Sequence, residues 1–118
     1  MKYMLLIYMD ELALNEEERE RCYVESTQLA HDLKANGQFL ATAPLQPTST
    51  ATSVKVRDGK RFVTDGPFTE TREQLGGFFM IDAKNLDEAI GIAARIPGAR
   101  AGTVEIRPVI EIPGLPVH

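Results

Sequence analysis

The chain has 118 residues, of which 43% are hydrophobic and 25% are charged, and its formal net charge is −4. This length suits one domain, and the acidic balance argues against nucleic acid as a partner, because phosphate binding generally needs a basic face. The single cysteine, Cys22, excludes an internal disulfide and a multi-cysteine metal cluster, and no cofactor motif is visible.

The chain begins with an apolar run at residues 3–9, Tyr-Met-Leu-Leu-Ile-Tyr-Met. The run lacks the polar alternation of a half-exposed strand, so it predicts a strand that is covered on both faces. It is shorter than the roughly 20 residues of a membrane-spanning helix, and it lacks a signal-peptide cleavage site. We therefore expect a cytoplasmic protein without a membrane segment.

A first helix is predicted from about residue 16 to residue 36. Asn15, followed three residues later by Glu18, forms a capping-box pattern, and the acidic residues suit the positive end of a helix. Gly37 predicts the end of the helix, as a cap in the left-handed conformation. The stripe that would face the core consists of Cys22, Ser26, Leu29, Ala30 and Leu33.

A second strand and a hairpin are predicted in the middle of the chain. Residues 38–43 indicate the strand, which ends at Pro44. Residues 53–57 and 60–63 alternate in polarity on either side of Asp58-Gly59. An Asp-Gly pair between two alternating runs is among the strongest short-range signals for a hairpin.

The stretch from residue 64 to residue 79 concentrates turn formers and polar side chains. Asp65-Gly66-Pro67 predicts a tight turn, and residues 69–73 all carry hydroxyl or charged groups. Gly76-Gly77 then leads into an apolar strand at residues 78–82. No helix follows the two glycines, so close backbone packing or a bulge explains them better than a phosphate site does.

A second helix and a last strand complete the domain. Asn85 repeats the N-cap pattern, and the helix ends before Pro97. Residues 103–108 alternate as a strand, so we assign residues 1–110 to one domain and residues 111–118 to a loose C-terminal tail. The predicted core stripe of this second helix is Leu86, Ala89, Ile90 and Ala93.

The predicted order is strand, helix, strand, hairpin, strand, helix, strand. This order describes an α+β fold, a ferredoxin-like βαββαβ sandwich with a β-hairpin insertion. Two helices cover only one face of such a sheet, yet the strands at residues 3–9 and 78–81 are apolar on both faces. We therefore expect a homodimer in which two copies pack through the uncovered sheet face.

Several segments of the chain together form a recognisable pattern: residues 1–8, 45–47, 50–54 and 86–89, the motif Asp65-Gly66-Pro67-Phe68, residues 70–77 and residues 104–108. In these segments the chain resembles the DGPF branch of the YCII-related proteins, from Met1 to about Pro108. The resemblance implies a dimeric α/β barrel fold, but it implies little about activity. Members of this branch are often encoded beside extracytoplasmic-function sigma factors, which implies a regulatory role by association.

The central stretch supplies the candidate site residues. Asp65 or Glu70 would act as a general base, and Arg72 would clamp an anion. The alternative is structural: Asp65 caps its own turn, while Glu70, Arg72 and Glu73 form a solvated ion-pair network worth about 1 kcal/mol or less. Further ligand-binding candidates are Tyr8, Gln46, Phe68, Glu73 and Arg107.

The remaining reactive side chains are expected to be structural. His31 precedes Asp32, but adjacent residues of a helix point about 100° apart, so His31 is expected at the surface. Cys22 lies on the apolar stripe, where a buried thiol is expected rather than a nucleophile. His31 and His118 lie far apart in sequence and form no recognisable metal motif, so no metal is expected.

Three hypotheses about function follow. The first is a small homodimeric protein that binds a small metabolite, with an anion favoured by Arg72, in a polar cleft around the motif. The second is a regulatory or adaptor module without catalysis, linked to an extracytoplasmic-function sigma factor. The third is an isomerase-like or lyase-like enzyme that needs no cofactor and uses a carboxylate base.

Overall fold

A computed structural model describes residues 1–116, so Val117 and His118, the end of the predicted tail, lie outside the described residues. Within this part the chain forms a mixed α+β structure with antiparallel sheets, and a short 3-10 turn at Thr48–Thr50. The elements are β1 (Lys2–Met9), α1 (Glu16–Ala35), β2 (Phe39–Pro44), β3 (Thr52–Arg57), β4 (Lys60–Asp65), β5 (Gln74–Asp82), α2 (Leu86–Ala93), α3 (Gly98–Ala101) and β6 (Thr103–Pro108).

Both predicted helix starts are confirmed. At α1 the Asn15 side chain accepts a hydrogen bond from the backbone N–H of Glu18 at 2.8 Å, and the Glu18 carboxylate accepts one from the backbone N–H of Asn15 at 3.0 Å. At α2 the Asn85 side chain accepts from the backbone N–H of Glu88 at 2.9 Å. These bonds satisfy backbone donors that have no partner inside the helix.

The main sheet has four strands in the order β2-β5-β1-β6, and each neighbouring pair is antiparallel. The central pair, β1 and β5, places Tyr3 opposite Ile81 and Leu5 opposite Phe79. These four side chains are buried on the face that the helices cover. Alternation along each strand turns the intervening residues to the opposite face.

The core lies between this face of the sheet and the helices. From α1, Leu29 and Leu33 are buried, whereas Cys22 and Ser26 of the predicted stripe are only half-buried. The stripe is therefore confirmed in the C-terminal half of α1. The core residues are Tyr3, Leu5, Leu29, Leu33, Phe79, Ile81, Ala83, Ala89, Ile92, Ala93 and Ile96.

The predicted stripe of α2 was wrong in two positions. Ala89 and Ala93 are buried as expected, but Leu86 and Ile90 are 51% and 48% exposed. Ile92 takes the place beside the two alanines, and burial continues on that side at Ile96 beyond the helix end. Apolar residues flank Ala89 and Ala93 on both sides of the helix surface. The 3.6-residue period alone therefore could not predict which side of this short helix faces the core.

The start of β5 departs from the prediction because the strand begins at Gln74, four residues earlier than expected. Opposite β1, Ile7 pairs with Gly77 and Tyr8 pairs with Leu75, so Gly76 is an extra, unpaired residue. This β-bulge confirms the structural reading of the two glycines. An added Cβ at Gly77 would lie only 3.0 Å from the carbonyl oxygen of Ala43. The backbone of β2 therefore packs closely against Gly77, which is the other explanation predicted for the two glycines.

The predicted hairpin is confirmed as a separate two-stranded sheet of β3 and β4. Asp58 and Gly59 have φ angles of 52° and 73°, the positive values that a tight hairpin turn requires. The hairpin carries exposed valines at positions 54, 56 and 63. The radius of gyration is 16.0 Å, larger than the roughly 13–14 Å of a compact domain of this length, so the hairpin extends from the body.

α3 was not predicted, because Pro97-Gly98 indicated a helix end, whereas Pro97 is the N-cap of this single turn. Within residues 1–116, no helix has the length and apolar character needed to cross a membrane.

We expect Leu33→Ala to lower the free energy of unfolding by about 2–5 kcal/mol, because it removes a buried side chain and leaves a cavity. Val24→Ala is the matched control on the same helix, since Val24 is 70% exposed. Its effect should stay within about 0.5 kcal/mol. Urea unfolding measures both, and equal losses would contradict this placement of the core.

Candidate functional site

A cavity of about 450 Å³ lies under the N-terminal half of α1, where the ends of β1 and β2 meet the start of β5. We call this the outer cavity. Its walls combine apolar side chains with a few charged and amide groups, the usual character of a ligand site. It is lined by Met9, Asp10, Glu11, Leu14, Arg19, Cys22, Tyr23, Pro44, Leu45, Gln46, Pro47, Gln74 and Gly76.

A second space, the inner cavity, continues beneath α1 toward the core and has a volume of about 160 Å³. Its walls include Ile7, Phe79 and Ile96, which are apolar. The two cavities adjoin, since five residues line both of them, and we call them together the α1 cleft. The residues that line both are Met9, Cys22, Tyr23, Pro44 and Gly76.

The cleft exists because the inward stripe of α1 changes in side-chain size along the helix. In the C-terminal half, Leu29 and Leu33 fill the space down to the sheet. Nearer the N-terminus of the helix, the inward positions are Cys22 and Ser26, which are small. Small side chains on a rigid helix cannot reach the sheet, so a cavity remains.

The two carboxylates at the mouth of the cleft are already hydrogen-bonded. Asp10 accepts from the backbone N–H of Leu12 at 2.9 Å and from the guanidinium of Arg72 at 3.4 Å. Glu11 accepts from the backbone N–H of Thr48 at 2.8 Å and also from the Thr48 hydroxyl. These contacts fix the loop after β1 to the segments that surround the cleft.

Arg19 is the cation that the mouth offers to a ligand. Within residues 1–116 its guanidinium forms no ion pair, whereas Arg21 on the same helix pairs with Glu17 at 3.7 Å. Gln74 donates its amide N–H to the carbonyl of Thr71 at 2.6 Å and also lines the outer cavity. Through Arg19, the mouth can bind an anion.

The inner cavity has few polar groups that are free. The hydroxyl of Thr27 donates to the carbonyl of Tyr23 at 2.7 Å, and that of Thr42 donates to the carbonyl of Phe78 at 2.8 Å. In the part of the chain that the structure describes, the Ser26 hydroxyl has no hydrogen-bond partner. It is the group that can bond to a ligand here.

Cys22 lies in the wall between the two cavities and carries a neutral thiol. Burial raises the pKa of this thiol above the usual cysteine range, and the nearby carboxylate of Glu25 raises the pKa further, against an opposing effect of Arg100. Glu25 and Arg100 form an ion pair at 2.8 Å, and that hydrogen bond lowers the pKa of Glu25. A thiol with a raised pKa is a poor nucleophile at neutral pH.

The structure places several predicted site residues away from this cleft. Asp65 and Glu70 are exposed at the end of β4 and in the loop that follows, and Phe68 is 86% exposed. Tyr8 pairs with Thr103 and Leu75, and it lies on the sheet face opposite the helices. None of Asp65, Glu70, Phe68 and Tyr8 lines the outer or the inner cavity.

Other predicted residues reach the cleft or lie elsewhere on the surface. Gln46 lines the outer cavity, and Arg72 reaches its mouth through Asp10. The Glu73 carboxylate accepts from the hydroxyl of Thr103 at 3.2 Å, and Arg107 pairs with Glu105 at 3.9 Å.

His31 is exposed, as predicted. Within residues 1–116, no three His, Cys, Asp or Glu side chains are grouped so that they could hold a metal ion.

Sequence reasoning missed Asp10, Glu11, Arg19 and Gln74. Two signals were available: an acidic pair directly after the first strand, and small residues at the inward positions of α1. The acidic pair could not be connected to Arg72, which lies 62 positions later, without the fold.

Comparison with known proteins identifies relatives along nearly the whole chain. The family model described as the YCII-related domain matches residues 1–113. An uncharacterized protein of Rhizobium meliloti is 37% identical in an alignment of 114 positions that covers 92% of each chain.

A solved structure with a similar fold is the 5-chloro-2-hydroxyhydroquinone dehydrochlorinase TftG of Burkholderia phenoliruptrix, in complex with 2,5-dihydroxybenzoquinone. It superposes with a TM-score of 0.56 at 15% identity, over 93% of this chain and 94% of that one. At this identity, the likeness shows a shared fold only.

We expect iodoacetamide to alkylate Cys22 with a pH midpoint above that of a cysteine in an unfolded peptide, because the thiolate is the reacting form and burial raises the pKa. Glu25→Gln should move the midpoint to lower pH, since it removes a carboxylate and leaves the Arg100 cation nearby. Glu105→Gln is the control. A midpoint that Glu25→Gln leaves unchanged would contradict the described surroundings of Cys22.

Proposed function

This chain belongs to the YCII-related domain family, and we propose that it binds a small, partly apolar, anionic metabolite in the α1 cleft. The observation that carries this proposal is the position of Arg19, a cation without an ion-pair partner in residues 1–116, at the mouth of a cavity of about 450 Å³. A guanidinium offers several donors in a fixed plane and suits a carboxylate or a phosphate.

The predicted motif takes part in this proposal through its C-terminal end. Arg72 pairs with Asp10 at the mouth, and Gln74 lines the outer cavity, so the loop that carries the motif borders the cleft. Asp65 and Glu70 as a base, with Arg72 as an anion clamp, stay a prediction. The side chains of Asp65 and Glu70 are both exposed to solvent within one subunit. This exposure favours the α1 cleft over the motif as the ligand-binding site.

A second candidate function is catalysis by a carboxylate base without a cofactor. Asp10 is suited to that role because its side chain is 33% exposed and lies at the mouth of the cleft. The protein of similar fold is an enzyme, a dehydrochlorinase bound to a small quinone. This analogy adds weight to catalysis in such a fold but does not identify a reaction.

A regulatory or adaptor role is the third candidate, and the hairpin favours it. Val54, Val56 and Val63 lie on one face of β3 and β4, and each is about 60% exposed. Exposed apolar groups that lie together usually mark a partner surface. The resemblance to the DGPF branch suggests a sigma factor as the partner of this surface.

We further propose that the protein is a cytoplasmic homodimer of ferredoxin-like subunits, packed sheet to sheet. The sheet order and its two crossover helices fit that topology. The face opposite the helices carries half-buried apolar residues, which a second copy would cover. These residues are Met4, Leu6, Tyr8, Phe78 and Met80.

We expect small carboxylates to bind in calorimetry, and Arg19→Gln to weaken that binding about tenfold to a hundredfold, as loss of a charge-assisted hydrogen bond does. Arg21→Gln is the matched control, because Arg21 lies two residues further along α1, on a different face of the helix, and pairs with Glu17. It should leave the affinity for the carboxylate unchanged. Asp65→Ala and Glu70→Ala test the motif. Loss of binding in these two variants but not in Arg19→Gln would move the site from the cleft to the motif.

Sedimentation at micromolar concentration should give a mass of about twice 13.1 kDa. Leu6→Glu places a charge on the outward sheet face and should give the monomer mass, whereas Val24→Glu on the exposed side of α1 should not. A wild-type protein that sediments as a monomer would overturn the dimer and leave the cleft untouched.

A further inference from the structure

The two-part shape of the α1 cleft leads to a class of ligand, and this step rests on the proposed function above. We propose that the ligand is a monocyclic aromatic anion, with its ring in the inner cavity and its charged group against Arg19 in the outer cavity. Gly76 sets the width of the passage between the two.

The size of the inner cavity corresponds to one six-membered ring. Its volume is about 160 Å³. An apolar cavity of about 150 Å³ in a protein core stays dry and binds benzene, so a single ring fills a space of this size and two fused rings exceed it.

The walls of the inner cavity suit an aromatic ring. Phe79 is 1% exposed and Ile96 is also 1% exposed, so both present fixed apolar surfaces. Tyr23 from α1 and Phe79 from β5 both line this cavity, and aromatic side chains bind a ring by offset or edge contacts. The Ser26 hydroxyl can accept or donate one hydrogen bond to a substituent on the ring.

The order of residues along α1 matches a ligand with a polar end and an apolar end. Arg19 lines only the outer cavity, Cys22 lines both cavities, and Ser26 lines only the inner one. These positions recur at three and four residues, so they share one face of the helix. Arg19 and Ser26 are separated by about 10 Å along the helix axis, a span that an arginine side chain and a benzoate-sized molecule can cover together.

Gly76 forms the strand side of the passage. It lines both cavities, and its position in the bulge leaves space where a side chain would be. An added Cβ would be 3.9 Å from its nearest neighbour, the carbonyl oxygen of Ile7, which is ordinary contact. A larger residue can therefore be placed there without a backbone clash, and it would narrow the passage.

The test is a series of probes measured by calorimetry on the full chain: acetate, benzoate, 2-naphthoate and benzene. Benzoate should bind at least tenfold more tightly than acetate, because it buries a ring, and more tightly than 2-naphthoate. Benzene carries no charge, so it should slow alkylation of Cys22 equally in wild type and in Arg19→Gln.

Two variants narrow the cleft from opposite sides. Gly76→Val and Ser26→Leu should each reduce benzoate affinity to near that of acetate and leave acetate affinity unchanged. Gly91→Val is the matched control, since an added Cβ at Gly91 meets no atom within 4 Å and this exposed residue of α2 lies outside the cleft.

The outcomes separate this proposal from the one on which it rests. If acetate and benzoate bind equally and both depend on Arg19, the ring site is wrong and anion binding stands. Tightest binding of 2-naphthoate, or protection of Cys22 by benzene without any binding of anions, also overturns the monocyclic anion. If no probe binds, both proposals fail.

Discussion

The arrangement of this protein depends on how α1 is attached to the sheet. Leu29 and Leu33, toward its C-terminal end, make the tight contact with the sheet, and two ion pairs join α1 to residues 95–100, which follow α2. Asp32 pairs with Arg95 at 2.9 Å, and Glu25 pairs with Arg100 at 2.8 Å. The N-terminal half is thereby held at a fixed height above the strands without filling the space below it. The core and the cleft are therefore two parts of the same interface between α1 and the sheet. Large inward side chains fill the interface at the core, and small ones leave it open at the cleft.

The sequence predicts the elements well wherever a local rule decides the structure. The N-caps at Asn15 and Asn85 and the Asp58-Gly59 turn each act within a few residues, and the structure confirms them. The rotation of α2 is different, because Ile90 and Ile92 are equally apolar and only packing against the sheet distinguishes them. Local pattern cannot supply that choice.

The candidate site was harder to predict for a related reason. Residues 65–73 are dense in polar groups, but polar density also describes a solvated loop, and Asp65 and Glu70 are exposed. The cleft is created by an absence of bulk at Cys22 and Ser26, opposite strand ends that come from three distant parts of the chain. The volume of the cleft follows from tertiary packing, which a local sequence pattern does not reveal. Of the predicted residues, Gln46 lines the cleft directly and Arg72 meets it through Asp10.

The bulge at Gly76 decides which neighbour faces the ligand. In a regular strand, residues alternate, so Leu75 would share the inward side of Gly77, and Gln74 would point outward. The extra residue, Gly76, reverses the inward and outward alternation of the residues before it. Leu75 pairs with the outward Tyr8, and Gln74 pairs with Met9 and lines the outer cavity. If the bulge were regularised at constant chain length, so that Gly76 paired with β1, Leu75 would replace Gln74 at the rim, whereas deletion of the extra residue would keep Gln74 inward in a regular strand. The polar rim of the cleft therefore depends on the register of this strand as well as on its composition.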